Sequence, residues 1–165
     1  MLRSFLIVPF LIASACAAAA QGADVALGLA SFDRNAPVEV TADELSIDQT
    51  TGSAIFNGNV LVVQGDIRMS AGLITVVYGT DESGAADGIS ELRATEGVTV
   101  VTPTDAAEAS EAVYAVAAGL VTMSGDVLLT QGQTALSGEK LVLDLNAGTG
   151  RMEGRVRTVF GGGQN

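Results

Sequence analysis

Phe56-Asn57-Gly58-Asn59-Val60-Leu61-Val62-Val63-Gln64-Gly65 returns 67 positions later as Met123-Ser124-Gly125-Asp126-Val127-Leu128-Leu129-Thr130-Gln131-Gly132. In both stretches apolar residues recur at every second position. A period of two marks a strand with one buried and one wetted face. The phrase before the first stretch, Ala42-Asp43-Glu44-Leu45-Ser46-Ile47-Asp48, also has later counterparts. They start at Ala71, Ala109 and Gly138, so the spacings are 29, 38 and 29 residues. The chain therefore reads as a repeat of antiparallel hairpins with half-buried strands.

Working outward, Val38 and Val40 open the first strand after the turn cluster Asn35-Ala36-Pro37. Strands are expected over 44–48, 53–57, 59–64, 66–70 and 73–79, then a polar loop over 80–88. They resume over 89–95 and 98–102, break at 103–108, and continue over 110–117, 120–124, 126–131, 134–137 and 140–145. Residues 152–160 close the sheet. Residues 106–118 are rich in Ala and Glu, which favours helix on propensity alone. Register with 42–49 overrules that preference. Many short strands with Gly at the turns leave a sandwich, a barrel or an open roll. Near-equal hairpins with one apolar face each would stack into an elongated two-sheet roll.

At 165 residues the chain suits one domain. Met1-Leu2-Arg3, the apolar run from Phe5 and the small residues Ala18-Ala19-Ala20 read as a cleaved export signal over residues 1–20. The run from Phe5 to Ala20 is only 16 residues and ends in alanines, short of the about 20 a spanning helix needs. An uncleaved anchor and lipidation at Cys16 are the other readings. Residues 21–36 are expected to be a flexible lead, 37–160 the domain and 161–165 a disordered tail.

Without Cys16 no thiol is left, and there is no histidine. That removes disulfides, cysteine-bound metal and the usual general base or thiol nucleophile. Carboxylate chemistry would remain, but no aromatic sugar platform accompanies it. No enzyme activity, cofactor or metal is expected. With 8 Lys+Arg against 19 Asp+Glu the net charge is −11, and −12 once Arg3 is lost. Such a chain does not track nucleic acid by electrostatics. With 5 Phe, 2 Tyr and no Trp, the interior must be aliphatic and is expected to be incompletely filled by its own side chains.

The repeat resembles the OstA-like (LptA) family of periplasmic lipopolysaccharide-transport proteins. The resemblance is carried by Ala42–Asp48, Phe56–Gly65, Met69-Ser70-Ala71, Ala109–Tyr114, Met123–Val127 and Leu136–Leu141, and spans residues 38–156. It implies an all-β fold, a twisted open β-jellyroll built from repeated antiparallel hairpins. It also implies a periplasmic carrier of lipopolysaccharide (LPS) that shields the acyl chains in an apolar trough between inner and outer membrane. The implied partners are LPS, LptC-like inner-membrane and LptD-like outer-membrane proteins, and further copies stacked head to tail. The expected trough lining is Val38, Val40, Ile47, Phe56, Val60, Val62, Ile67, Met69, Ile74, Val76, Val98, Val100, Tyr114, Val116, Met123, Val127, Leu129, Leu141 and Leu143. The same residues would serve equally as ordinary core. Acidic residues are expected on the outer face. The alternatives are a membrane-anchored LptC-like component of the same pathway and a structural β-repeat protein without a lipid site.

Overall fold

The computed structural model describes residues 23–26, 36–80 and 86–161. The expected signal over residues 1–20 and the last tail residues, 162–165, lie outside the described residues.

Among the described residues, thirteen strands form one antiparallel sheet. In chain order they are β1 (Ala23–Ala26), β2 (Glu39–Thr41), β3 (Glu44–Asp48), β4 (Ser53–Gln64), β5 (Ile67–Thr80), β6 (Ala86–Thr95), β7 (Val98–Val101), β8 (Asp105–Ala109), β9 (Glu111–Ala115), β10 (Leu120–Gln131), β11 (Thr134–Asp144), β12 (Thr149–Glu153) and β13 (Arg157–Phe160). Several segments expected to be pairs of short strands are single long ones. β4, β5, β10 and β11 each run 11 to 14 residues and belong to two leaves. The first leaf is ordered β3, β4, β5, β6, β9, β10, β11, β12, β1, using one half of each long strand. The second is ordered β2, β4, β5, β7, β8, β10, β11, β13, using the other half. The leaves thus share a spine where the long strands bend.

The bends explain the repeated phrase. The β4–β5 register shifts between Asn57 and Val60, and the β10–β11 register shifts between Ser124 and Val127. Gly58 and Asn59 have φ of 78° and 46°, and Gly125 and Asp126 have 81° and 50°. Such left-handed pairs bulge a strand and turn it sharply. The carbonyl of Gly58 accepts the N–H of Asp43 at 2.9 Å, and that of Gly125 accepts the N–H of Ser110 at 2.9 Å. A Cβ on Gly58 would lie 2.6 Å from Asp43 Oδ2, and one on Gly125 would lie 2.7 Å from Ser110 Oγ. The offset of 67 thus maps one spine bend onto the other, hydrogen-bond partner included.

No helix forms over residues 106–118: residues 105–109 and 111–115 are strand and 116–118 lie in a turn, and the break expected at 103–108 is shorter. β8 begins at Asp105, and the chain turns at Ser110 into β9. Each half of residues 105–115 pairs into a different leaf. Within the expected lead, Ala23–Ala26 form β1, which pairs with β12 at the far end of the first leaf.

Candidate functional site

Cross-strand register lines the interior of each leaf in rows. In the first leaf one row runs Leu45, Phe56, Ile74, Ala94, Ala112, Met123, Leu141, Met152. The next, nearer the hairpin turns, runs Ile47, Ala54, Val76, Leu92, Tyr114, Val121, Leu143, Gly150. In the second leaf the matching row is Val40, Val62, Met69, Val100, Ala107, Leu129, Leu136. Most row positions carry large apolar residues, with small ones at Ala54, Ala94, Ala107, Ala112 and Gly150.

Of the expected lining, Val60, Val62, Met69, Ile74, Val76, Val98, Val100, Tyr114, Met123, Val127, Leu129, Leu141 and Leu143 are buried. Val38, Val40, Phe56, Ile67 and Val116 are half-buried and packed against them. Ile47 differs: it lies on the interior row but is 65% exposed, and its row neighbour Leu45 is 52% exposed. β3 is the edge strand, so its apolar face projects past the last covered position. At the opposite edge Phe160 of β13 is 77% exposed and pairs with Thr134. Both ends of the interior therefore meet solvent, while the middle is close-packed.

The interior is not completely filled by its own side chains. One apolar cavity of about 50 Å³ lies on the side away from the spine, lined by Val62, Met69, Val100, Ala107 and Leu129 of one leaf and Tyr114, Val121, Leu143 and Leu145 of the other. That is room for roughly four water-sized groups. Aliphatic side chains on alternating rows fill the rest.

The lip of the second leaf is polar, which the alternation of residues did not foretell. Gln64, Thr102 and Asp105 also line the cavity, and Gln64 and Asp105 are buried. Asp105 Oδ1 accepts Gln131 Nε2 at 3.0 Å, and Oδ2 accepts Thr104 Oγ1 at 3.0 Å. Gln64 Nε2 donates to the Ala36 carbonyl at 3.2 Å, and Tyr114 Oη reaches Gln64 Oε1 across the two leaves at 3.5 Å. These bonds offset the cost of burying polar groups among aliphatic ones. Asp105 corrects the expectation that every carboxylate sits outside. A signal was present: Gln64-Gly65 and Gln131-Gly132 repeat at the offset of 67 on interior-facing positions.

Residues 39–149 match the family described as LptA/(LptD N-terminal domain) LPS transport protein. An uncharacterized protein of Rhizobium meliloti strain 1021 is 29% identical over 151 residues, 87% of this chain and 81% of that protein. The lipopolysaccharide export system protein LptH of Pseudomonas aeruginosa is 38% identical over 58 residues, 35% of this chain and 33% of LptH. The crystal structure of LptH, described as the LptA homologous periplasmic component of the lipopolysaccharide transport device, superposes with a TM-score of 0.67. The superposition covers 79% of this chain and 99% of that one at 19% identity, a likeness of fold. With the family match covering most of the jellyroll, the chain belongs to the LptA/(LptD N-terminal domain) family of LPS transport proteins, a carrier family and not an enzymatic one.

Proposed function

We propose that the chain carries LPS through the periplasm with its acyl chains between the two leaves. Its LptC-like and LptD-like partners would meet it at the two sheet edges, where further copies also stack head to tail. The observation that carries this reading is the run of apolar rows from one edge to the other, ending in the exposed Leu45 and Ile47. A solenoid with a sealed core has no use for interior-face aliphatics in water at its end strand.

The packed middle sets the mechanism. Each methylene leaving water is worth about 0.8 kcal/mol, so a dozen contribute about 10 kcal/mol. Parting the leaves exchanges side-chain contacts for contacts with the acyl chain, so most of that gain survives. Entry starts at the rim, where Val38, Val40 and Phe56 are already half-exposed. A net charge of −11 and the buried Asp105 carboxylate repel phosphate, so the phosphorylated headgroup stays outside the trough.

The test is site-specific photo-crosslinking with radiolabelled LPS from probes at Val40, Phe56, Val100 and Val116, with the outward-facing Glu39 and Thr99 as controls. Labelling should concentrate on the first four. Equal labelling of both sets overturns the reading.

A further inference from the structure

The first leaf does not end at β12. β1 adds to it antiparallel, with Ala23 opposite Met152, Asp24 opposite Arg151 and Val25 opposite Gly150. This register puts Ala23 on the interior row that starts at Leu45, and Val25 on the row that starts at Ile47. Every pairing across the leaf is antiparallel, so its first strand, β3, and its ninth, β1, run in the same sense. If the rows continue from one molecule into the next, the strand that must follow β12 is the next copy's β3. Leu45 would then sit opposite Met152 and Ile47 opposite Gly150. β1 already lies in that slot, in that sense and in that register, with Ala23 for Leu45 and Val25 for Ile47.

From this coincidence we infer that β1 is an internal stand-in for the β3 of a second copy, and that it must leave β12 before a second copy can dock. The inference rests on the proposed stacking and adds a brake to it. Two features fit a second copy as the displacing partner. β3 presents two exposed large aliphatics where β1 offers smaller residues, so the exchange buries more apolar surface. β3 also flanks Ser46 with Glu44 and Asp48 on its outer face, a match for Arg151 of β12.

The stand-in is weakly held, as a brake must be. It has four residues, and the ion pair between Asp24 and Arg151, 3.1 Å apart, is exposed at both ends.

Sedimentation velocity on the chain without residues 1–20, and on one truncated after Ala26, tests the inference. Truncation should tighten self-association at least tenfold, because the competent edge is then always free. Ile47→Asp in the truncated chain should reverse the gain. A double variant, Asp24→Cys with Arg151→Cys, should form an intramolecular disulfide that holds the chain monomeric until reductant is added. Unchanged self-association on truncation overturns the brake and leaves stacking intact. Weaker self-association makes β1 the docking strand itself and also overturns it. A truncated chain that stays monomeric at every concentration removes stacking and brake together. Tighter capture of an LptD-like N-terminal domain without tighter self-association assigns the slot to that partner and overturns the choice of a second copy.

Discussion

Gly58 and Gly125 each hold a backbone angle that L residues rarely adopt, at a point where a Cβ would strike the neighbouring strand. Gly125→Ala is expected to cost about 1–3 kcal/mol, read from the urea midpoint, because strain and contact with Ser110 both oppose it. Asp48 works at the opposite end of the hairpin. Its Oδ1 accepts the N–H of Thr50 at 2.8 Å and of Thr51 at 3.4 Å, and Asp144 repeats the device with Asn146 and Ala147, both at 2.9 Å. The Thr50 N–H, with help from Thr51, holds the Asp48 carboxyl below its ordinary pKa. A lowered folded value means the stabilisation is full above the unfolded pKa and is lost as pH falls through the folded one. Asp48→Ala should therefore lower stability at neutral pH, and the gap from the parent should close on acidification below about pH 4. Equal stability of the two at pH 7 would refute this.

Elements in the middle of the leaves and elements at their edges answer substitution differently. Met123 of β10 is fully buried between Ala112 and Leu141, and Met123→Ala should cost about 2–5 kcal/mol in denaturant unfolding. Ile47→Asp on β3 should change stability by less than about 0.5 kcal/mol, since the side chain is already wet. The same change should abolish LPS labelling near that rim. The hairpins were legible because the 67-residue repeat carries its bend with it, and because residues 109–116 kept register against a helical preference. β8 was partly hidden by Pro103, whose turn ends one residue before Asp105. β1 was not legible at all: Ala23-Asp24-Val25-Ala26 is too short for a period to show, and its partner lies 127 residues away.

For the whole molecule, the question is what keeps the leaves together when empty. The cross-leaf reach of Tyr114 Oη to Gln64 is one such tie, and Tyr114→Phe removes it while keeping the ring. That variant should lose about 1 kcal/mol of stability and take up LPS faster, measured by stopped-flow quenching of a labelled lipid. Unaltered uptake would mean the tie does not control entry. Which apolar residues turn away from solvent was legible for all but Ile47, because alternation assigns a face. How tightly that face is packed was not, since volume depends on which row of one leaf meets which row of the other. The polar lip escaped for a related reason: Gln64 and Asp105 look like surface residues until their partners are known.

The long strands tie the leaves along one margin only, and no strand pair joins the opposite margins among the described residues. A scaffold slit from end to end need not be threaded. If acyl chains lie between the leaves as proposed, they could be surrendered sideways at any station along the axis, and a gap between stacked molecules would interrupt the path without stranding what is already inside.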